Sequence, residues 1–202
     1  MNWEPSIELE LLRKIQVNKL DPGHASKVWN IKKFLCIIPD GMVKTYKACV
    51  VMFPDGILPQ GGIGVDPGLR LGLSYIEAED VAFTLSLFIN RTDRSAATLL
   101  DMIQKVPVLF PQRISVKVPV VVEGAAYNAR YGQVILAEVR AALILGFVNS
   151  GYEHVAEVQP KSIRKRTFGN GNIKPTEFWP TLKKLGGKDG TDALSMAICA
   201  GL

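Results

Sequence analysis

Two apolar, β-branched runs in this chain each end on a carboxylate. Ile63-Gly64-Val65 stops at Asp66-Pro67-Gly68, and Val120-Val121-Val122 stops at Glu123-Gly124. A second acidic pair, Asp189 and Asp192, opens a helical pattern in Gly-Lys-Asp-Gly-Thr-Asp-Ala-Leu. At i and i+3 these two share one helical face. A carboxylate buried without a cation is costly, and several brought together repel one another. Convergence of these four is therefore best explained by a divalent metal, and carboxylates with water are the hard ligands that Mg²⁺ and Mn²⁺ prefer. Taken singly, Asp66 also suits a turn before Pro67, and Asp189 and Asp192 suit the positive end of a helix dipole. The set of four is what carries the metal reading.

From Ile63 onward the pattern is α/β. Ile63 to Val65, Leu71 to Ile76 and Val81 to Ile89 read as three strands, followed by a helix over Ser95 to Val106 with Ser95 as N-cap. Ile114 to Val122 reads as a central strand covered on both faces. Tyr131 to Asn149 reads as a helix apolar on nearly every side, the character of a helix buried against more than one surface. Packing against a second subunit and burial under its own domain both satisfy that pattern. Val155 to Gln159 is a further strand, leading into a basic, glycine-punctuated loop from Lys161 to Gly171. Helices near Thr176 to Leu185 and from Asp189 to Cys199 close the chain.

Residues 1–60 differ in texture. Ile7 to Ile15 predicts a short helix ended by Asp21-Pro22-Gly23, and Ser26 to Phe34 a second. Phe34 to Ile38, the turn triplet Pro39-Asp40-Gly41 and Met42 to Phe53 read as a hairpin. This segment is expected to be an α+β extension, serving as a small DNA-binding module, a dimerisation arm or a packing extension of the sheet.

The chain of 202 residues is long enough for one substantial core and needs no disulfide staples. Cys36, Cys49 and Cys199 are widely spaced and read as core thiols of a reducing compartment. The first residues lack the cationic start and apolar core of a signal peptide. The longest apolar run, Ala141 to Val148, is far short of the about 20 residues that span a bilayer. A soluble, cytoplasmic protein is expected. A formal charge of +5 is modestly basic and compatible with a nucleic-acid partner.

Four segments in order resemble one family. Ile-Gly-Val-Asp-Pro-Gly ending at Gly68, Val-Val-Glu-Gly-Ala-Ala-Tyr-Asn-Ala-Arg ending at Arg130, Lys-Ser-Ile-Arg-Lys followed by Gly-Asn-Gly, and Asp-Gly-Thr-Asp-Ala-Leu-Ser-Met-Ala are similar to motifs of RuvC-type Holliday junction resolvases, particularly the phage-encoded branch. The resemblance covers residues 61–202. It implies a ribonuclease H-like α/β fold, a mixed five-stranded sheet flanked by helices, and a homodimer that cuts four-way or branched DNA.

In that reading Asp66, Glu123, Asp189 and Asp192 hold two Mg²⁺ ions, with Mn²⁺ substituting, about 4 Å apart on the scissile phosphate. Asp66 bridges them. One ion activates water and the other stabilises the leaving oxygen, and the resemblance implies 5′-phosphate and 3′-hydroxyl products. Lys161, Arg164, Lys165, Arg166 and Lys174 form the densest basic stretch and are expected to contact phosphates without reading bases. The resemblance implies a cation beside the scissile phosphate, for which Arg164 and Lys165 are candidates, with Lys174 a further one. Tyr127 is a candidate for stacking on an unpaired base, against a role in core packing. His24 and His154 are too isolated to suggest a metal or triad.

Other readings keep the fold and change the task, because fold does not determine function. The same carboxylates suit flaps, RNA–DNA hybrids or a transposase-like reaction, and a non-catalytic junction-binding protein keeps the fold without cleavage. A sugar-kinase or actin-like ATPase also begins with a strand and an acidic glycine turn, but needs a second large domain.

Overall fold

In a computed structural model, residues 7–90, 95–125 and 133–202 are described. The chain runs α1 (Leu9–Arg13), β1 (Gln16–Lys19), α2 (Pro22–Val28), α3 (Ile31–Ile37), β2 (Val43–Met52), β3 (Ile63–Asp66), β4 (Arg70–Ala78) and β5 (Val81–Ile89). It continues through α4 (Ala96–Gln104), β6 (Val120–Glu123), α5 (Gln133–Asn149), β7 (Val155–Val158), α6 (Pro160–Phe168), α7 (Pro175–Phe178), α8 (Pro180–Gly186) and α9 (Lys188–Gly201).

The sheet has seven strands in the order β1-β2-β5-β4-β3-β6-β7. β3, β6 and β7 are parallel neighbours and the other pairs are antiparallel. The five strands expected from residue 61 onward are thus present, in the ribonuclease H-like order. The extension adds two more at the outer edge, β2 pairing with β5 from Val43↔Ile89 to Met52↔Val81. Of the three roles open for residues 1–60, the described part is at least an added edge of the sheet.

Period-two alternation sends the two sets of side chains to opposite faces. One face carries Ile63, Val65, Leu71, Leu73, Leu85, Leu87, Val120 and Val122, which pack in one core with Leu99, Met102, Val139, Leu143 and Phe147 of α4 and α5. Trp29 and Phe34 of the extension belong to the same core, and the Tyr75 hydroxyl donates to the Val28 carbonyl at 3.1 Å. The other face is small beneath α9. A Cβ on Gly64 would overlap the Ala193 carbonyl oxygen, and one on Gly72 the Asp189 carbonyl oxygen. The bare backbone at these two positions is what lets α9 lie directly on β3 and β4.

Several sequence expectations need correction. Asp21-Pro22-Gly23 starts a helix: the Asp21 side chain accepts from the His24 N–H at 2.9 Å and Pro22 takes the first turn, where its missing donor costs nothing. Gln16–Lys19, expected to lie within or just after the first helix, is a strand on β2. No hairpin joins 34–38 to β2. That run is the end of α3, whose buried Ile31, Phe34 and following Ile38 have helical spacing.

The strand expected over Ile114 to Val122 is confined to Val120–Glu123, because Pro119 has no N–H and the Val118 N–H turns back to Ser115. The basic segment expected as a loop is α6, with Pro160 in its first turn and Gly169 left-handed at its end. The single helix expected over Thr176 to Leu185 is broken by Pro180 into α7 and α8. Cys36 is exposed, while Cys49 and Cys199 are buried free thiols as expected. Among the described residues no helix is long and apolar enough to cross a membrane.

Candidate functional site

β3 and β6 run parallel in the register Ile63↔Val120 to Val65↔Val122, so their carboxyl ends stop side by side. Asp66 and Glu123 occupy those ends on the face covered by α9. Gly72 lies directly across from Asp66 on β4 and leaves its carboxyl room. It also lies under the backbone of Asp189, so one glycine both clears space for one acid and seats the helix bearing two others.

The first turn of α9 is fixed from below. The Ser86 hydroxyl donates to the Gly186 carbonyl at 2.7 Å and accepts from the Gly190 N–H at 2.9 Å. The Thr191 hydroxyl donates to the Gly187 carbonyl at 2.7 Å. On the far side, the buried Thr167 hydroxyl donates to the Ser195 carbonyl at 2.9 Å and ties α6 to α9.

All four acids have raised pKa values, and burial is the first cause for each. For Asp66, held well above the usual carboxylate range, the next causes are the negative charges of Glu123, Asp192 and Asp189. Glu123 feels Asp192 next and is hydrogen-bonded to Asp66. Burial and like charge thus push both carboxyls of this pair upward.

The described structure brings these acids close enough to repel. Among the described residues, however, no three His, Cys, Asp or Glu side chains already stand around a common ion position. The donor set nevertheless suits a hard divalent cation: oxygen ligands only, desolvated, with excess negative charge for a cation to relieve.

Cations surround the acids. Arg164 of α6 lowers the pKa of both Glu123 and Asp192. Lys188 acts on all four, with its ammonium 4.0 Å from Asp192, whose side chain is only 14% exposed. Arg70 acts on Asp189 from β4. Sequence reading missed Lys188 and Arg70. Their signal was adjacency, since Lys188 precedes Asp189 and Arg70 follows the Asp66-Pro67-Gly68 turn by two residues.

Of the predicted basic residues, Arg164 is half-buried against the acids, while Lys161, Lys165 and Arg166 are exposed along α6. Lys174 caps α7 and pairs with Glu177 at 2.8 Å. Tyr127 lies outside the described residues.

A mixed sheet of this strand order, with one helix laid across its central strands, is a ribonuclease H-like α/β fold. No protein-family model matches the chain, and no curated protein matches it in sequence. Solved structures match it in shape. The Thermus thermophilus RuvC structure aligns with a TM-score of 0.54 at 18% identity, covering 69% of this chain and 92% of that one. T. thermophilus RuvC in complex with Holliday junction substrate aligns with a TM-score of 0.51 at 18% identity, covering 69% and 91%. At this identity the likeness is one of fold. Nearly the whole neighbour has a counterpart here, whereas about a third of this chain has none there.

Proposed function

We propose that the protein is a metal-dependent, structure-selective DNA endonuclease that resolves four-way or branched junctions. Residues 61–202 form its nuclease unit and residues 1–60 its extension. The observation that carries the reading is that buried Asp66, at the end of β3, feels the charges of Glu123, Asp192 and Asp189. Solved T. thermophilus RuvC with Holliday junction substrate supports branched DNA as the partner.

Asp66, Glu123, Asp189 and Asp192 would hold two Mg²⁺ ions, or Mn²⁺ in their place. When bound, such ions lower the pKa of a water and stabilise charge on a phosphodiester. Arg164, beside Glu123 and Asp192, neutralises charge at the phosphate under attack. Lys161, Lys165 and Arg166 on the exposed side of α6 hold the backbone of the DNA without reading its bases.

A homodimer suits paired cuts in a two-fold junction. Its supporting surface is α5, where Val134, Ala137, Ala141, Leu145 and Val148 form an exposed stripe, Val134 being 72% exposed.

The test incubates the protein with a synthetic four-way junction, a flap, an RNA–DNA hybrid and plain duplex, each with Mg²⁺ and with Mn²⁺. Preferential nicking of the junction, abolished by Asp66→Asn, is expected. Preference for flap or hybrid moves the substrate within the same chemistry. Binding without cleavage in either metal, with Asp66→Asn unchanged, overturns the nuclease.

A further inference from the structure

A groove of about 350 Å³ leaves the carboxylate site and crosses the sheet toward its outer edge. It begins at Asp189 and ends on β2 of the N-terminal extension, between Thr45 and Lys47. Its described lining carries four cations, Lys47, Arg70, Lys183 and Lys188, against the single carboxylate of Asp189. Phe88 lies on this surface, 36% exposed, with the Arg70 guanidinium 5.4 Å and the Lys44 ammonium 5.8 Å from its ring centre.

The register explains the alignment. Lys47 pairs across from Ser86, Ser86 from Gly72, and Gly72 from Asp66, so the four form one row on one face of the sheet. Thr45, Phe88 and Arg70 form the adjacent row nearer the rim. Three interstrand steps of about 4.8 Å place Lys47 about 14 Å from Asp66. That distance corresponds to roughly four nucleotide rises of about 3.4 Å along one strand of a duplex.

We infer that this groove is a second nucleic-acid subsite, seating the strand that runs on from the scissile phosphate, with β2 of the extension as its far wall. The inference rests on the nuclease reading and gives the extension a task within it. The ammonium groups of Lys47 and Lys183 and the guanidinium of Arg70 meet successive phosphates. Phe88, an exposed ring near the end of β5, supplies the face on which a base or sugar of that strand stacks. Phe88 keeps its ring accessible, and Lys47 stands in the same row as Asp66.

The test uses the full chain carrying Asp66→Asn, so that binding is read without cleavage. Fluorescence anisotropy compares junctions with long arms and junctions whose arms end before reaching β2, across a salt series. Lys47→Glu with Lys183→Glu is expected to weaken long-armed binding at least tenfold. The salt slope should fall by about two, with short-armed binding kept within about twofold. Phe88→Ala is expected to weaken long-armed binding about tenfold with little change in salt slope. Lys117→Glu, before the opposite end of β6, serves as the charge control and should stay within about twofold of the parent.

Equal loss on short and long arms, or no loss on either while the unsubstituted protein still cuts junctions, overturns the subsite and leaves the nuclease standing. Failure of the unsubstituted protein to bind or cut any DNA removes the nuclease first and the subsite with it.

Discussion

Asp66 is buried with three like charges acting on it. A carboxyl whose folded-state pKa is raised penalises folding once pH climbs above its ordinary value of 3.8, and the penalty grows until the folded-state value is passed. Ionising Asp66 within the fold is therefore unfavourable, a cost that a bound divalent cation would relieve. Asp66→Asn should raise the melting temperature of the metal-free protein by about 2–4 °C, the shift of about 1 kcal/mol for a chain of this size. Mn²⁺ should raise the melting temperature of the parent and leave that of the variant nearly unmoved, as scanning fluorimetry would show. Arg164→Ala should slow single-turnover junction cleavage by about a hundredfold with binding changed only a few-fold. Lys165→Ala should weaken binding and spare the rate. Equal effects of the two would deny Arg164 its place beside the phosphate.

At the scale of elements, the site depends on how closely α9 lies on the sheet. Gly72→Ala puts a methyl into the Asp189 backbone, and because that neighbour is main chain the whole first turn of α9 must lift. A loss of about 1–3 kcal/mol in urea unfolding is expected, as for other overpacked cores. Cleavage should fall with it, because Asp189 and Asp192 ride on the displaced turn. Ser86→Ala removes one donor and one acceptor from the same junction and should cost about 1–3 kcal/mol. These glycines were visible in Gly-Ile-Gly-Val-Asp and in Leu71-Gly72-Leu73, but nothing in a single strand says which helix will cross it. α6 shows the converse difficulty. Its basic, glycine-flanked run reads as a loop until Pro160 is recognised as a helix start and Ile163, Thr167 and Phe168 as its buried face.

At the scale of the molecule, the extension shares both sheet and core with the rest of the chain. Removing residues 1–60 would expose the edge of β5 and the pocket of Trp29, which makes edge-on T-shaped contacts with Tyr75 and Phe110. An unpaired, apolar edge strand is an aggregation site. The truncated chain should therefore be insoluble, whereas an extension that merely hung from residues 61–202 would leave them folded and soluble. The α5 stripe makes the complementary prediction. Leu145→Glu should turn the proposed dimer into a monomer in sedimentation experiments while keeping the melting temperature within a few degrees, because Leu145 is 50% exposed in the single chain. A parent that sediments as a monomer at micromolar concentration would remove the dimer.

The strands from Ile63 to Ile89, the α5 and α9 helices and the place of Asp66 and Glu123 at strand ends were legible in the chain itself. Their signals are local: alternation or unbroken β-branching for strands, a 3.6-residue stripe for helices, and a carboxylate where an apolar run stops. Short mixed runs were not legible. Phe34 to Ile38 suits either period, and Gln16–Lys19 is a strand only because β2 lies beside it to take its hydrogen bonds. Convergence of the acids, the addition of two strands to the outer edge and the alignment of Lys47 with Asp66 were decided by tertiary structure alone. Each is a matter of register and packing between segments far apart in sequence, and local preference carries no information about which distant partner a segment meets.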